Sequence, residues 1–246
     1  EHHRGGRLDK AKRLYERVLR QQPDNADALH LLGLTAHQAG RHERAIELIG
    51  KATRISPENG HFFNNLGEAY RSAGRRDEAI RCYQQALKLD ASDAMALNNL
   101  GNALAEQGKM DEAAASYLRA LDIDPGYAEA HSNLGDALAG QEKMDEAAVC
   151  YRRAIEINPH LAQVHDSLAT ALTALGQTQE AAASYHRALD IDPGYVPALN
   201  NLGNLLSSMG KWDEAEDCYR RSLEMAPDLA QVHVHLGNLL ADRKKP

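Results

Sequence analysis

Apolar and small residues return along this chain at a fixed interval of 34 residues, and between them the polar positions keep a helical rhythm. With Ala26 as position 1, position 7 reads Leu32, Leu66, Leu100, Leu134, Leu168, Leu202 and Leu236. Position 8 is glycine in every unit but one, where Ala169 stands. Position 20 is alanine from Ala11 to Ala215, and position 24 is tyrosine from Tyr15 to Tyr219 except at Ile49. Positions 4, 7, 8 and 11 share one face of a first helix, and 20, 24, 27 and 28 one face of a second. The pattern therefore predicts an all-α chain of antiparallel helix pairs, brought close by the small residues at positions 8 and 20. Gly40, Gly74, Gly108, Gly176 and Gly210 at position 15 suit the turn inside each pair. Asp77, Asp111, Asp145 and Asp213 at position 18 suit the start of the second helix. Pro23, Pro57, Pro125, Pro159, Pro193 and Pro227 stop that helix, with Ala91 in the one gap.

One unit breaks the turn rule. Glu142 replaces the glycine at position 15, and Gly140 lies two residues earlier, inside the expected first helix. A left-handed turn costs a non-glycine residue about 1 kcal/mol. The expectation is a local irregularity over 140–144 and a softer joint there.

The 34-residue unit resembles the tetratricopeptide repeat family over the whole chain. Full repeats run 26–59, 60–93, 94–127, 128–161, 162–195 and 196–229. Residues 1–25 supply mainly the second helix of a preceding repeat, and 230–246 the first helix of a following one. The resemblance implies a single right-handed superhelical α-solenoid over 1–246, with first helices lining a concave groove and no central core.

Charge narrows the partner. The 28 basic and 35 acidic residues leave a net −7, which argues against a nucleic-acid or membrane-surface binder. Residues 1–59 carry +3 and residues 94–229 carry −12, so a partner steered by charge approaches the later part with its own basic groups. No apolar run reaches the roughly 18 residues of a membrane span. The chain begins at Glu1 rather than Met, so it reads as part of something longer and a leader segment is not legible. Cys82, Cys150 and Cys218 all hold position 23, two repeats apart, which puts them beyond disulfide reach. Free thiols point to a reducing, cytoplasmic compartment, with a periplasm holding unpaired thiols as the alternative.

Nothing in the pattern asks for catalysis, a cofactor or a metal. His131, His165 and His233 at position 4 read as packing residues. His233 and His235 are two apart on a helix and point in different directions. Pairs such as Asp111-Glu112 and Asp145-Glu146 recur at helix starts, and no phosphate-loop, nucleophile-elbow, zinc-helix or paired-cysteine spacing occurs.

Function then rests on the face the fold leaves over. By the resemblance, positions 2, 5, 6, 9, 12 and 13 face the groove. Position 6 is Asn65, Asn99, Asn133 and Asn201, with Leu31, Ser167 and His235 departing from the column. Position 9 adds Asn102, Asp136, Asn204 and Asn238, and position 5 adds Asn64, Asn98 and Asn200. A carboxamide both donates and accepts, so a column of them can pair with an extended backbone. Asparagine is also a poor helix former. The competing reading is that these groups bond neighbouring helices or water. Runs such as Ala96-Leu97-Asn98-Asn99-Leu100-Gly101-Asn102, and the opening Asp27-Ala28-Leu29-His30-Leu31-Leu32-Gly33, resemble the repeats of O-GlcNAc transferases and related bacterial glycosyltransferases. That resemblance implies that the position 6 carboxamides hold a protein substrate's backbone, with a catalytic domain beyond residue 246. Position 2 carries no Lys or Arg, unlike chaperone-binding modules that clamp a terminal carboxylate.

Three readings follow: a protein-interaction scaffold for an extended polypeptide, the substrate-recognition arm of a larger glycosyltransferase, and a structural self-assembly module. The expected partner is a protein or extended peptide, not nucleic acid or membrane. Self-association is expected through Leu14, Tyr15 and Val18 near one end and Leu236, Leu239 and Leu240 near the other, since burying each large side chain is worth about 1.5–3 kcal/mol.

Overall fold

The computed structural model describes residues 8–242, which form fourteen helices and no strand. First helices of the repeats are α2 (Ala26–Gln38), α4 (Gly60–Ser72), α6 (Ala94–Ala105), α8 (Ala128–Gly140), α10 (Ala162–Ala174), α12 (Val196–Ser208) and α14 (Ala230–Asp242). Second helices are α1 (Leu8–Gln21), α3 (His42–Ile55), α5 (Arg76–Leu89), α7 (Met110–Ile123), α9 (Met144–Ile157), α11 (Thr178–Ile191) and α13 (Trp212–Met225). They group into two compact units, Glu1–Pro125 and Gly126–Pro246. Within each unit every helix packs on its neighbours in the chain, and this stacking replaces a central core.

Helix ends follow local chemistry. Asn25 and Asp93 cap α2 and α6, each side-chain oxygen accepting a backbone N–H at 2.9 Å. Second helices start differently. Arg41, Arg75, Lys109, Lys143, Gln177 and Lys211 hold the cap position without a side-chain cap bond. Asp77, Asp111, Asp145 and Asp213 lie inside the first turn, where they act on the helix dipole. Residues before the prolines are extended, as at Ser56 and Asp192, with φ of −125° and −132°. Asp90 reaches the same conformation without proline, its carboxylate accepting from the Ser92 N–H at 2.9 Å and the Ser92 hydroxyl at 2.6 Å.

The irregularity expected over 140–144 is absent. Glu142 takes φ 63°, in the same left-handed region as the five turn glycines at 71–77°. The Lys143 N–H reaches the Leu138 carbonyl at 3.0 Å, as Lys109 reaches Leu104 at 3.0 Å. Packing of α8 against α9 dictates the turn, and the strain stays on one residue.

Position 8 is glycine because position 24 lies on it. A Cβ on Gly67, Gly101, Gly135 or Gly203 would stand 2.4–2.6 Å from Cε1 of Tyr83, Tyr117, Tyr151 or Tyr219. Ala169 shows that one repeat tolerates the extra carbon beside Tyr185. Each tyrosine is thereby buried between its own two helices.

The three thiols are unbridged, Cys82 and Cys218 buried and Cys150 half-buried, and burial raises Cys82 and Cys218 to about 11. The two apolar stripes expected to drive association are unequal. Leu14 and Val18 on α1 are exposed, whereas on α14 Leu239 is buried, Leu236 half-buried and Leu240 exposed. The last stripe is therefore narrower than its sequence suggests, because Leu239 already packs within the second unit.

Candidate peptide-binding face

First helices of each unit present positions 5, 6 and 9, and the structure joins these in two regular patterns. Position 6 of one repeat bonds position 5 of the repeat before it. In the first unit the Asn99 amide donates to the Asn64 carbonyl at 3.1 Å, and the Asn65 amide to His30 Nε2 at 2.8 Å. In the second unit Asn201 donates to Asp166 at 3.2 Å, and His235 Nδ1–H donates to the Asn200 carbonyl at 3.1 Å. All four bonds link residues 35 apart.

The same pairs explain the polar residues at position 5. Asn64 and Asn98 are only 3% and 0% exposed, so they lie inside the stack and outside the surface a peptide could touch. A buried carbonyl without its donor would cost about 1–3 kcal/mol, and Asn99 supplies that donor to Asn64. The Asn65 bond makes His30 Nε2 an acceptor, so the ring is neutral. Burial, reinforced by His61 and opposed by Asp27, lowers its pKa to about 4.

Position 9 is joined within the repeat, to the tyrosine at position 24. Tyr117 donates to Asn102 at 2.7 Å, Tyr151 to Asp136 at 2.7 Å and Tyr219 to Asn204 at 2.8 Å. Tyr83 donates to Glu68, and the Tyr185 hydroxyl lies 3.1 Å from that of Thr170. The buried phenol thus finds its partner on the facing helix. Where position 24 is Ile49, position 9 is Leu34, so the two columns change together. That pairing of columns is legible in the sequence itself.

The first helices of the first unit carry one cation, Arg71, which is held by two carboxylates, Glu68 at 3.0 Å and Glu106 at 2.7 Å. Burial opposes ionisation of Glu68, but the bonds from Arg71 and Tyr83 outweigh it and its pKa is lowered. The first helices of the second unit, α8, α10, α12 and α14, carry no Lys or Arg. Between α8 and the turn into α10 lies a cavity of about 690 Å³, lined among others by Tyr127, Glu129, Asn133, Asp136, His160 and Leu161.

Of the residues expected on the face, Asn65, Asn99, Asn133, Asn200, Asn201, Asn102 and Asn204 are half-buried, while Asp136 and Asn238 are exposed. Asn102, Asp136 and Asn204 accept from tyrosines, so for them the competing reading, bonding to a neighbouring helix, accounts for one oxygen of each side chain. Of the position 4 histidines, His165 packs as expected whereas His233 is exposed and His131 half-buried; His165 and His233 donate to the carbonyls of Pro159 at 3.2 Å and Pro227 at 2.9 Å. Among the described residues no group of three or more His, Cys, Asp or Glu is placed to hold a metal. No helix there is long and apolar enough to cross a membrane.

Family models described as "Tetratricopeptide repeat" match residues 2–60 and 64–128, 128–161, and 160–228. The chain belongs to the tetratricopeptide repeat family. The solved structure of MamA is similar at 28% identity and TM-score 0.62, over 68% of this chain and 97% of that one. Pseudomonas aeruginosa PilF matches at 22% identity and TM-score 0.77, over 88% of this chain and 97% of its own. YrrB, described as a tetratricopeptide protein with an unusual peptide-binding site, matches at 23% identity and TM-score 0.64, over 78% and 99%. No curated protein matches the chain. Tetratricopeptide repeats are typically protein-interaction scaffolds and generally non-catalytic.

Proposed function

We propose that this tetratricopeptide chain is a non-catalytic scaffold that holds an extended polypeptide along its first helices. The observation that carries the reading is the state of the position 6 carboxamides. Asn65, Asn99 and Asn201 each give one N–H to the preceding repeat and keep a second N–H and a carbonyl. A donor and an acceptor repeated on successive first helices match the C=O and N–H groups of an extended backbone. The bond to the preceding repeat also fixes the side chain's orientation, so less entropy is lost when a peptide binds. The half-buried Asn133 continues the column in the second unit. Asn64 and Asn98 are not part of this proposal, because both are buried. Unbridged thiols favour a reducing, cytoplasmic setting. The narrower role of a glycosyltransferase arm would use the same face and rests on sequence resemblance alone.

The test needs variants that keep the fold. His235 already bonds Asn200 in place of asparagine, so Asn99→His and Asn201→His preserve the link between repeats while removing the outward carboxamide. Fluorescence anisotropy with a labelled pool of short, uncharged, random-sequence peptides should show each change weakening binding about 2–10-fold, the worth of one hydrogen bond. Val149→Ser, on an exposed site of α9, should leave affinity unchanged. Equal affinity for all variants with unaltered circular dichroism would refute the reading.

A further inference from the structure

The second unit twice uses a carboxylate where other repeats do the same structural task with a carboxamide. At position 9, Asp136 accepts from Tyr151 as Asn102 accepts from Tyr117 and Asn204 from Tyr219. At position 5, Asp166 accepts from Asn201 as Asn64 accepts from Asn99. Neither hydrogen bond needs a negative charge. Burial raises the pKa of both carboxyls, although the bonds from Tyr151 and Asn201 oppose it. Asp136 is exposed by surface area, yet protein atoms crowd its carboxylate; Asp166 is buried.

Neither carboxylate is paired with a cation in the described structure. The contrast with Glu68 of the first unit, bonded to Arg71 at 3.0 Å, is direct. Helices α8, α10, α12 and α14 contain no Lys or Arg at all; the described basic residues of this unit sit on second helices and the turns before them. Asp166, Asp192 and Asp136 each add to the rise of the Tyr195 phenol, after desolvation as the main cause. The unit as a whole holds 10 basic and 17 acidic residues. Asp136 borders the cavity of about 690 Å³, which Glu129, Tyr127, Asn133 and Leu161 also line.

We propose that this cavity is a subsite for a cationic side chain, lysine or arginine, of the polypeptide laid along the first helices, with Asp136 contacting it directly and Asp166, on the next first helix, adding negative potential. The proposal rests on the peptide-binding reading above and adds to it a preference for a basic residue in one register. Charge complementarity argues for this occupant: the cavity has acidic walls, has no Lys or Arg among its lining residues, and lies in the unit that carries the excess of acid. Its apolar lining suits the methylene stem of a long basic side chain.

The experiment compares two labelled peptide pools identical but for one fixed central residue, arginine in one and its neutral isostere citrulline in the other. On the unaltered protein the arginine pool should bind about fivefold more tightly, the worth of one partly exposed charge pair. That advantage should shrink with added salt. Asp136→Asn installs the residue that α6 and α12 carry at this position, so Tyr151 keeps its acceptor and the fold is preserved. It should bring the ratio close to one by weakening the arginine pool far more than the citrulline pool, and Asp166→Asn should reduce the ratio less. A ratio that survives Asp136→Asn, or that is already one on the unaltered protein while citrulline peptides bind, overturns the subsite and leaves the scaffold reading standing. Failure of both pools to bind overturns both.

Discussion

Glu142 offers a direct measure of how strongly packing overrides local preference in this chain. Among the described residues it is the one non-glycine residue with positive φ, at 63°, in the turn between α8 and α9. An L-residue in the left-handed region costs roughly 1–2 kcal/mol, and the Glu142 side chain is exposed. Glu142→Gly removes the strain but gives the unfolded chain more freedom, worth about 0.5–1 kcal/mol against folding. The net expectation is a stabilisation of about 0.5–1 kcal/mol, a rise in melting temperature of roughly 1–4 °C. Gly108→Ala is the reciprocal experiment. A Cβ there meets nothing within 4 Å, so its cost is entirely backbone strain and should be similar in size with opposite sign. Because stacked repeats can unfold in parts, the bulk urea transition is best read beside a local probe. Hydrogen exchange at the Lys143 N–H, bonded to Leu138 at 3.0 Å, reports on this turn. Slower exchange and a higher midpoint for Glu142→Gly are expected. A neutral or destabilised Glu142→Gly together with a neutral Gly108→Ala would show that the turn stores no strain.

Two further outcomes follow from buried polar groups. Ser222 is 0% exposed and its hydroxyl has no partner, while Ala52, Ala86, Ala120, Ala154 and Ala188 hold the same repeat position. Ser222→Ala should therefore stabilise the second unit by about 1 kcal/mol, and a loss of stability in thermal unfolding would show that the hydroxyl is satisfied in solution. His30, with a folded pKa of about 4 against 6.5 unfolded, takes up its proton first in the unfolded chain. Stability should be full above about pH 6.5 and fall as pH drops toward 4, by at most about 3 kcal/mol. A histidine NMR titration should place its midpoint below 5, whereas an ordinary value near 6.5 would remove the effect.

Much of this fold is legible in the chain because each repeat restates the same local rules. Leu at position 7, Ala at position 20, Gly at position 15 and Pro at position 32 determine helix, face, turn and stop through side-chain volume and backbone preference alone. Six copies of such columns suffice to place the helix pairs. What the asparagines do is a different matter, since the sequence shows which helical face carries a residue but not which neighbour fills the space above it. Only stacking decided that Asn64 and Asn98 are buried while Asn65, Asn99 and Asn201 stay at the surface. Positions 5 and 6 are adjacent in sequence, and a rotation of about 100° along the helix carries one into the interface and leaves the other at its edge. The turn at Glu142 went the same way: local preference argued for a break, and the packed helices on either side left no other conformation. The meaning of Asp136 and Asp166 likewise emerged only from tertiary contacts, which show that a neutral amide performs their hydrogen bonding elsewhere and so leave their charge as the feature to be explained. Local sequence specifies what each residue can do; the density of the packed stack decides which of those capacities reaches solvent.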